Sequence, residues 1–177
     1  MTALPHAFYA QDAETVAKAL LGATLVFETK RVRIVETEAY VGTHDLAAHS
    51  SKGRTARTDV MFGPPGRAYL YLIYGMYELF NVVTGDEGDA QAVLIRAAEP
   101  LENVTGKTDG PGKLTRALGL DRAYNRHDLT APPLTLTTGT PPSEVVTTTR
   151  VGVDYAGAWK DAPLRFYDAS SRWVSRR

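Results

Sequence analysis

Two stretches of the chain hold side chains that could carry out chemistry on a planar ligand. The first, RIVETEAYVGTHDLAAH at residues 33–49, brings two glutamates, a tyrosine and His49 into one strand and the loop after it. The second, YLYLIYGMY at residues 69–77, contains four tyrosines and a Tyr-Gly-Met step. A carboxylate can activate water as a general base, and aromatic faces can stack a flat ring. These residue types together indicate a pocket for a nucleobase.

The two glutamates of the first stretch raise an electrostatic problem. In a regular strand, Ile34, Glu36, Glu38 and Tyr40 share one face. The two carboxylates are then roughly 6.5–7 Å apart, from the rise per residue. Burying both as anions is costly, so one must be protonated, paired with an arginine or turned outward by a bulge. The alternative is a solvated strand face, which the neighbouring tyrosine and histidine argue against.

The tyrosine-rich stretch allows two interpretations. Tyr69 and Tyr71 lie on one face of a strand and could simply pack into a core. Tyr74 lies on the opposite face, directly before Gly75, so a hairpin here would carry Tyr74 and Met76 at its tip. Exposing two bulky side chains does not stabilise a fold, so a partner is implied. Some proteins use wedges of this kind to separate stacked base pairs.

Metal and nucleotide sites are not indicated. The four histidines show no metal-ligand spacing, and the chain has no cysteine, which also excludes disulfides. The segment GPGKL at residues 110–114 lacks the spacing of a phosphate-binding Walker motif. It could still present a helix N-terminus and a lysine to a phosphate. We therefore expect no metal.

The composition is that of an ordinary globular domain. With 177 residues, 44% apolar and 23% charged, the chain is long enough for one domain with an adequate core. It has no run of about 18 apolar residues, so we expect no transmembrane helix. Residues 1–14 lack the basic start and apolar stretch of a secretion signal. The absence of cysteine fits a reducing compartment, and we expect a cytoplasmic protein.

The overall charge is balanced, with 20 basic and 20 acidic residues. This balance argues against a protein that holds duplex DNA mainly by its net charge. Basic residues nevertheless cluster at residues 30–33, 52–57 and 172–177. The clusters either share one face or belong to a solvated surface of mixed charge.

Periodicity and turn signals predict one α+β domain. Asp12 is placed to cap a helix that ends before Gly22. Strands are predicted at residues 23–28, 31–41, 68–74, 77–84, 90–98 and within 131–149. A long loop spans residues 42–66 with a short helix near 45–49, a linker spans 99–112, and a helix covers 113–118. Short connections predict that the strands from 68 to 98 form an antiparallel meander.

Several long motifs resemble one known family. They are VETEAY, a histidine nine residues past that tyrosine, MFGPPG, YLYLIYGMY, FNVVT, VLIRAAEPLE, DGPGKL and LRFY followed by WVS. Spread over nearly the whole chain, they resemble the alkyladenine (3-methyladenine) DNA glycosylases of base-excision repair. The resemblance implies a single domain over residues 1–177, with a curved, mostly antiparallel sheet, flanking helices and a protruding β-hairpin. It also implies that no metal or organic cofactor is needed.

The resemblance further implies a role for eight residues. Glu38 is similar to the family's water-activating carboxylate, and Arg96 to the arginine that holds the water and target backbone beside it. The side chains that resemble the pocket for the flipped base are Tyr40, His49, Tyr71 and Asn81. Asn81 matches the asparagine that crowds the exocyclic amino group of guanine. Tyr74 matches the residue that intercalates into the duplex, with Met76 beside it.

The implied function is monofunctional hydrolysis of an N-glycosidic bond. The substrates would be flipped alkylated or deaminated purines of the 3-methyladenine, 7-methylguanine and hypoxanthine class, and the product an abasic site. The implied partner is double-stranded DNA containing a damaged purine. We expect a monomer with no membrane association, at the nucleoid when acting, or nuclear in a eukaryote. Residues 103–109 are shorter than the matching family segment, and no basic N-terminal extension is present.

Two other functions remain open at this stage. The fold also resembles the tRNA-binding carboxyl domain of formyltransferases, which would make the chain a non-catalytic nucleic-acid module. A buried Glu38 would argue against this, because a binder of a polyanion needs no carboxylate in its site. A carbohydrate glycosidase could use Glu36 and Glu38 as its acid pair, but a sugar site has no use for the predicted hairpin tip.

Overall fold

The computed structural model describes residues 2–177, and a curled antiparallel sheet forms its centre. Its eight strands are β1 (Thr24–Phe27), β2 (Lys30–Tyr40), β3 (Ala68–Ile73), β4 (Tyr77–Thr84), β5 (Gln91–Glu102), β6 (Leu134–Thr137), β7 (Val145–Thr148) and β8 (Arg165–Asp168). Six follow the order β3-β4-β5-β2-β1-β6, while β8 pairs with β2 and β7 with β8. The predicted α+β fold and the β3–β5 meander are confirmed.

Short helices flank this sheet. The α-helices are α1 (His6–Tyr9), α2 (Ala13–Ala19) and α3 (Pro111–Leu118). The 3₁₀ helices are His49–Lys52, Asp59–Phe62, Arg122–Tyr124 and Asp154–Asp161. Among residues 2–177, no helix is long and apolar enough to cross a membrane.

Helix α2 begins as the sequence predicts. The Asp12 carboxylate accepts a hydrogen bond from the Thr15 amide, which satisfies one of the free N–H groups at the helix start. Beyond the helix, Gly22 has φ 89°, and a Cβ on it would lie 2.2 Å from the Thr140 carbonyl oxygen. Only glycine fits where these two segments meet.

The predicted ends of β3 and β5 need correction. Strand β3 ends at Ile73, because Tyr74 adopts φ 54° in the turn. Strand β5 runs to Glu102, which pairs with Arg31 of β2. The prediction of a linker from residue 99 was therefore wrong for its first four residues, which extend the sheet. The helix predicted near 45–49 lies slightly later, as a 3₁₀ turn over His49–Lys52.

Two consecutive bulges decide which side chains of β2 face the same way. The pairing with β5 shifts at Val35 on β2 and again at Arg96 on β5. Ile34 consequently packs in the main core, whereas Glu36 and Glu38 point to the opposite side. The prediction that Ile34 shares their face was wrong, because the strand is not regular. Bulges re-aim side chains in this way beside functional sites.

The sheet buries its two faces differently. One face packs on α2 and forms the main core, and the Thr37 hydroxyl on this side donates to the Ala17 carbonyl of α2 at 2.8 Å. Alternate residues on the other face of β3, β4, β5 and β2 line a cavity. The period-two alternation of the strands thus separates stabilising side chains from those facing the cavity.

Candidate functional site

The cavity has a volume of about 810 Å³. Aligned residues of four neighbouring strands run across its floor in the order Tyr69, Asn81, Leu94 and Glu38. The predicted site residues that line it are Glu38, Tyr40, His49, Tyr71, Tyr74, Asn81 and Arg96. Met76 lies outside the lining, at the tip of the β3–β4 hairpin. Side chains far apart in the sequence are thus brought to one concave surface.

Glu38 is held in a single orientation. It is fully buried, its Oε1 accepts a hydrogen bond from the Tyr40 hydroxyl at 2.8 Å, and its Oε2 accepts one from the Val151 amide at 2.7 Å. Arg96 Nη1 lies 3.8 Å from Oε2. Burial raises the pKa of Glu38, while Arg96 and the two hydrogen bonds oppose that rise. A fixed carboxylate with a raised pKa is suited to act as a general base.

Glu36 is equally buried but differently engaged. Arg165 Nη1 lies 2.8 Å and Arg96 Nε 3.4 Å from its Oε2, and Ser175 donates two hydrogen bonds to its Oε1. The solvated-face alternative is wrong for both glutamates, and Glu36 takes the arginine pairing that the sequence allowed. Glu36 does not line the cavity, so the acid pair that a carbohydrate glycosidase needs is missing.

Aromatic rings form the walls of the cavity. Tyr40 comes from β2 and Tyr71 from β3, the outer strands of the four-strand floor. The His49 and Tyr71 ring centroids are 4.4 Å apart, and His49 Nδ1 lies 2.9 Å from the Tyr69 hydroxyl oxygen. Burial, with Arg57 and Lys52 nearby, lowers the pKa of His49 to about 4. His49 is therefore neutral at pH 7 and does not repel a cationic ligand.

A buried ion pair missed by the sequence reasoning supports Tyr40. The guanidinium of Arg150 binds both carboxylate oxygens of Asp45, at 2.6 and 3.0 Å, and lies 4.9 Å from the Tyr40 ring centroid. The backbone amide of the next residue, Val151, donates to Glu38 Oε2. The motifs HDLAAH and RVGV contain these residues, but 105 positions separate Arg150 from Asp45. Their sequence gives no signal of the pairing.

The β3–β4 hairpin projects as predicted. Tyr74 is 84% and Met76 58% exposed. Tyr74 and Gly75 have φ values of 54° and 67°, and the Met76 amide donates to the Ile73 carbonyl. This tight turn places both central residues in the left-handed region. Tyrosine is strained there, and such strain is typical of functional positions.

The predicted basic clusters do not all belong to this site. Arg57, Lys113 and Arg116 lie along the cavity, and the Arg57 guanidinium is 5.1 Å from the Tyr71 ring centroid. Arg33 instead pairs with Asp168 at 2.9 Å. Within residues 2–177, no group of His, Cys, Asp and Glu side chains is arranged to hold a metal ion.

Comparison with known proteins identifies the family. The family model for methylpurine-DNA glycosylase matches residues 7–172. The chain belongs to the methylpurine-DNA glycosylase family. Membership confirms the resemblance seen in the sequence motifs and makes the chain a DNA glycosylase, an enzyme of base-excision repair whose substrate is DNA. The alternative of a non-catalytic nucleic-acid module is therefore disfavoured.

Curated relatives are similar to this chain over nearly all of its residues. A protein of Myxococcus xanthus is 54% identical over 99% of this chain and 95% of its own length. One from Anaeromyxobacter dehalogenans is 54% identical over 98% and 85%, and one from Legionella pneumophila 50% identical over 99% and 100%. All three carry the provisional name 3-methyladenine DNA glycosylase. The chain thus matches between 85% and 100% of the length of each relative.

Proposed function

We propose that the protein excises alkylated and deaminated purines from double-stranded DNA, with a water molecule activated by Glu38. Substrates of the 3-methyladenine, 7-methylguanine and hypoxanthine class leave as free bases, and an abasic site remains. The observation that carries this proposal is the placement of Glu38. Its carboxylate is buried, held by two hydrogen bonds and set at the floor of an aromatic cavity.

The chemistry of the alkylated lesions suits such a carboxylate. Alkylation at N3 or N7 makes a purine cationic, which weakens its glycosidic bond and makes it a better leaving group. The sugar then develops positive charge, as in glycoside hydrolysis, and needs a nearby anion and a water directed at C1′. Glu38 supplies both, as general base and as electrostatic stabiliser. Arg96, 3.8 Å from Glu38, helps to hold the water and the target backbone.

The aromatic walls support selection of electron-poor bases. Tyr40 and Tyr71 line the cavity, and a cation over the face of an aromatic ring gains about 0.5–2 kcal/mol. His49 is neutral at pH 7 because its pKa is lowered to about 4. Asn81 lies on the floor between the walls, and its proposed role is to reject the 2-amino group of guanine. The walls thereby favour a purine that carries a positive charge, such as 7-methylguanine, and Asn81 favours a purine without a 2-amino group, such as hypoxanthine.

The residues at the edge of the cavity and on the hairpin tip support binding of a flipped nucleotide. Tyr74 and Met76 would fill the space that a flipped base leaves in the stack. Lys113 lines the cavity but is half exposed and paired with Asp109 at 3.5 Å. A nucleophilic lysine needs a desolvated site, so we propose hydrolysis without strand cleavage. We propose that a monomer acts on DNA in the cytoplasm, at the nucleoid.

A glycosylase assay on duplexes that each carry one defined lesion tests this function. The expected products are the free damaged base and an intact strand that breaks only after alkali treatment. Release of 3-methyladenine or hypoxanthine, with undamaged duplex left unchanged, supports the proposal. A protein that releases neither base, or that cleaves the strand without alkali, contradicts it.

A further inference from the structure

Four charged groups are buried together at one side of the cavity. Glu36 and Glu38 come from β2, Arg96 from β5 and Arg165 from β8, so two carboxylates face two guanidinium groups. Only Glu38 and Arg96 line the cavity. Glu36 is fully buried and has no part in the mechanism proposed above. A buried charge is costly unless it is paired and hydrogen-bonded. The partners of Glu36 include Arg96, which does line the cavity.

Glu36 and Ser175 together surround the guanidinium of Arg96. Arg96 Nε lies 3.4 Å from Glu36 Oε2, and Arg96 Nη2 donates to the Ser175 hydroxyl at 3.3 Å. The same hydroxyl donates to Glu36 Oε1 at 2.6 Å. On its third side, Arg96 Nη1 lies 3.8 Å from Glu38 Oε2. The guanidinium is therefore shared between Glu36, Ser175 and Glu38.

All three contacts of the Arg96 guanidinium are long, between 3.3 and 3.8 Å. Its Nε is buried without a hydrogen-bond partner among the described residues, so its approach to Glu36 is an ion pair only. Glu36 makes its short contact, 2.8 Å, with Arg165 instead. A long side chain held by three long contacts depends on each of them for its position.

We propose that Glu36 and Ser175 are positioning residues for excision, which together set the distance between the Arg96 guanidinium and Glu38 Oε2: Ser175 holds the guanidinium there, and Glu36 draws it away. The inference rests on the proposed function of Glu38 as the water-activating base. Ser175 supplies the hydroxyl that bridges Arg96 and Glu36. Its backbone amide donates separately to Glu36 at 2.8 Å, so a change of its side chain leaves this segment attached.

Glu36 and Ser175 affect the pKa of Glu38 in opposite directions, in part through Arg96. Arg96 lowers the pKa of Glu38, and the like charge of Glu36 raises it. Removing the Glu36 charge lowers the pKa directly and leaves Arg96 more strongly attracted to Glu38. Removing the Ser175 hydroxyl loosens Arg96 and raises the pKa. The charged and titratable groups around Glu38 are Glu36, Tyr40, Tyr71, Arg96, Arg150, Tyr155 and Arg165.

Single-turnover excision of hypoxanthine from a duplex, measured from pH 5 to 8 with excess enzyme, tests the proposal. The rate falls on the acidic side as Glu38 becomes protonated. We call this fall the acidic limb of the pH–rate profile. We expect Glu36→Gln to move it to lower pH and Ser175→Ala to move it to higher pH. A displacement of one pH unit changes the rate about tenfold below the limb. Ser175→Thr, which keeps a hydroxyl, should restore the wild-type profile.

Two controls separate the possible failures. Ser143→Ala changes an exposed serine before β7 and should leave the profile unchanged, while thermal unfolding shows that each variant is folded. If wild type is active, Glu38→Gln is inactive and the limb of either Glu36→Gln or Ser175→Ala coincides with that of wild type, the positioning role is wrong. A folded Ser175→Thr that behaves like Ser175→Ala also overturns it. Wild type without activity, or active Glu38→Gln, contradicts the proposed function instead.

Discussion

At the scale of single residues, surroundings separate two glutamates that are chemically identical. Glu36 is neutralised by Arg165 and receives two hydrogen bonds from Ser175. Glu38 has its nearest arginine at 3.8 Å, and burial raises its pKa. The carboxylate of Glu36 is thereby fully engaged by its partners, and that of Glu38 remains able to take a proton from water.

Asn81 is the residue that should control selectivity against guanine. It is buried on the cavity floor, where a 2-amino group would clash or lose its hydrogen-bond partner. We expect Asn81→Ser to allow slow release of guanine while hypoxanthine is still excised. The change should cost about 1–3 kcal/mol of discrimination, the value for one unpaired buried polar group.

The measurement is the ratio of hypoxanthine to guanine excision by wild type and Asn81→Ser. Asn81 also donates from Nδ2 to the Tyr69 carbonyl oxygen at 3.3 Å, which ties β4 to β3. If both rates fall by the same factor and the ratio is unchanged, this structural bond is its role and the selectivity prediction is wrong.

At the scale of elements, the β3–β4 hairpin combines a rigid strand pair with a strained, exposed tip. We expect Tyr74→Ser to reduce excision from duplex DNA more than from single strands. The reason is that only a duplex leaves a gap to be filled when the base flips, at a cost of a few kcal/mol. Parallel single-turnover assays on the two substrates provide the comparison, and equal losses on both would show that Tyr74 is not a wedge.

The loop after β2 depends on its buried ion pair for stability. The Asp45 and Arg150 side chains are both inaccessible to solvent, and Asp45→Asn would leave the guanidinium without a counter-charge. We expect a loss of about 3–5 kcal/mol in the free energy of unfolding. Urea unfolding measures it.

The matched control for this change is Glu14→Gln. It breaks the exposed pair with Lys18 on α2, whose N–O distance is 3.6 Å. A surface pair of this kind is worth roughly 0.2–1 kcal/mol. Equal destabilisation by the two substitutions would mean that the Asp45–Arg150 pair does not hold the loop.

The strands were predictable from the sequence, but their register was not. Alternation and turn residues predicted β3, β4 and the exposed tip at Tyr74 and Met76, because these signals are local. The bulges at Val35 and Arg96 leave no such signal. They depend on pairing with distant strands, so the strand pattern alone placed Ile34 on the wrong face.

At the scale of the whole molecule, one curled sheet serves two purposes. One face packs the core, and the other face, closed by residues 151–155 and the start of α3, encloses the cavity. The motifs predicted seven of the residues that line this cavity, because they resemble a known family. The groups that orient them were not predictable. Val151 lies 113 positions from Glu38, and Arg165 lies 129 from Glu36.

The most direct test of the account is the activity of Glu38→Gln. The substitution preserves the shape of the side chain and removes the carboxylate that we propose activates water. We predict that this variant still binds a hypoxanthine duplex within a few-fold of wild type, measured by fluorescence anisotropy. Its single-turnover excision rate should fall by about 10²–10⁴, the usual contribution of a general base. Excision within a few-fold of the wild-type rate would contradict the account.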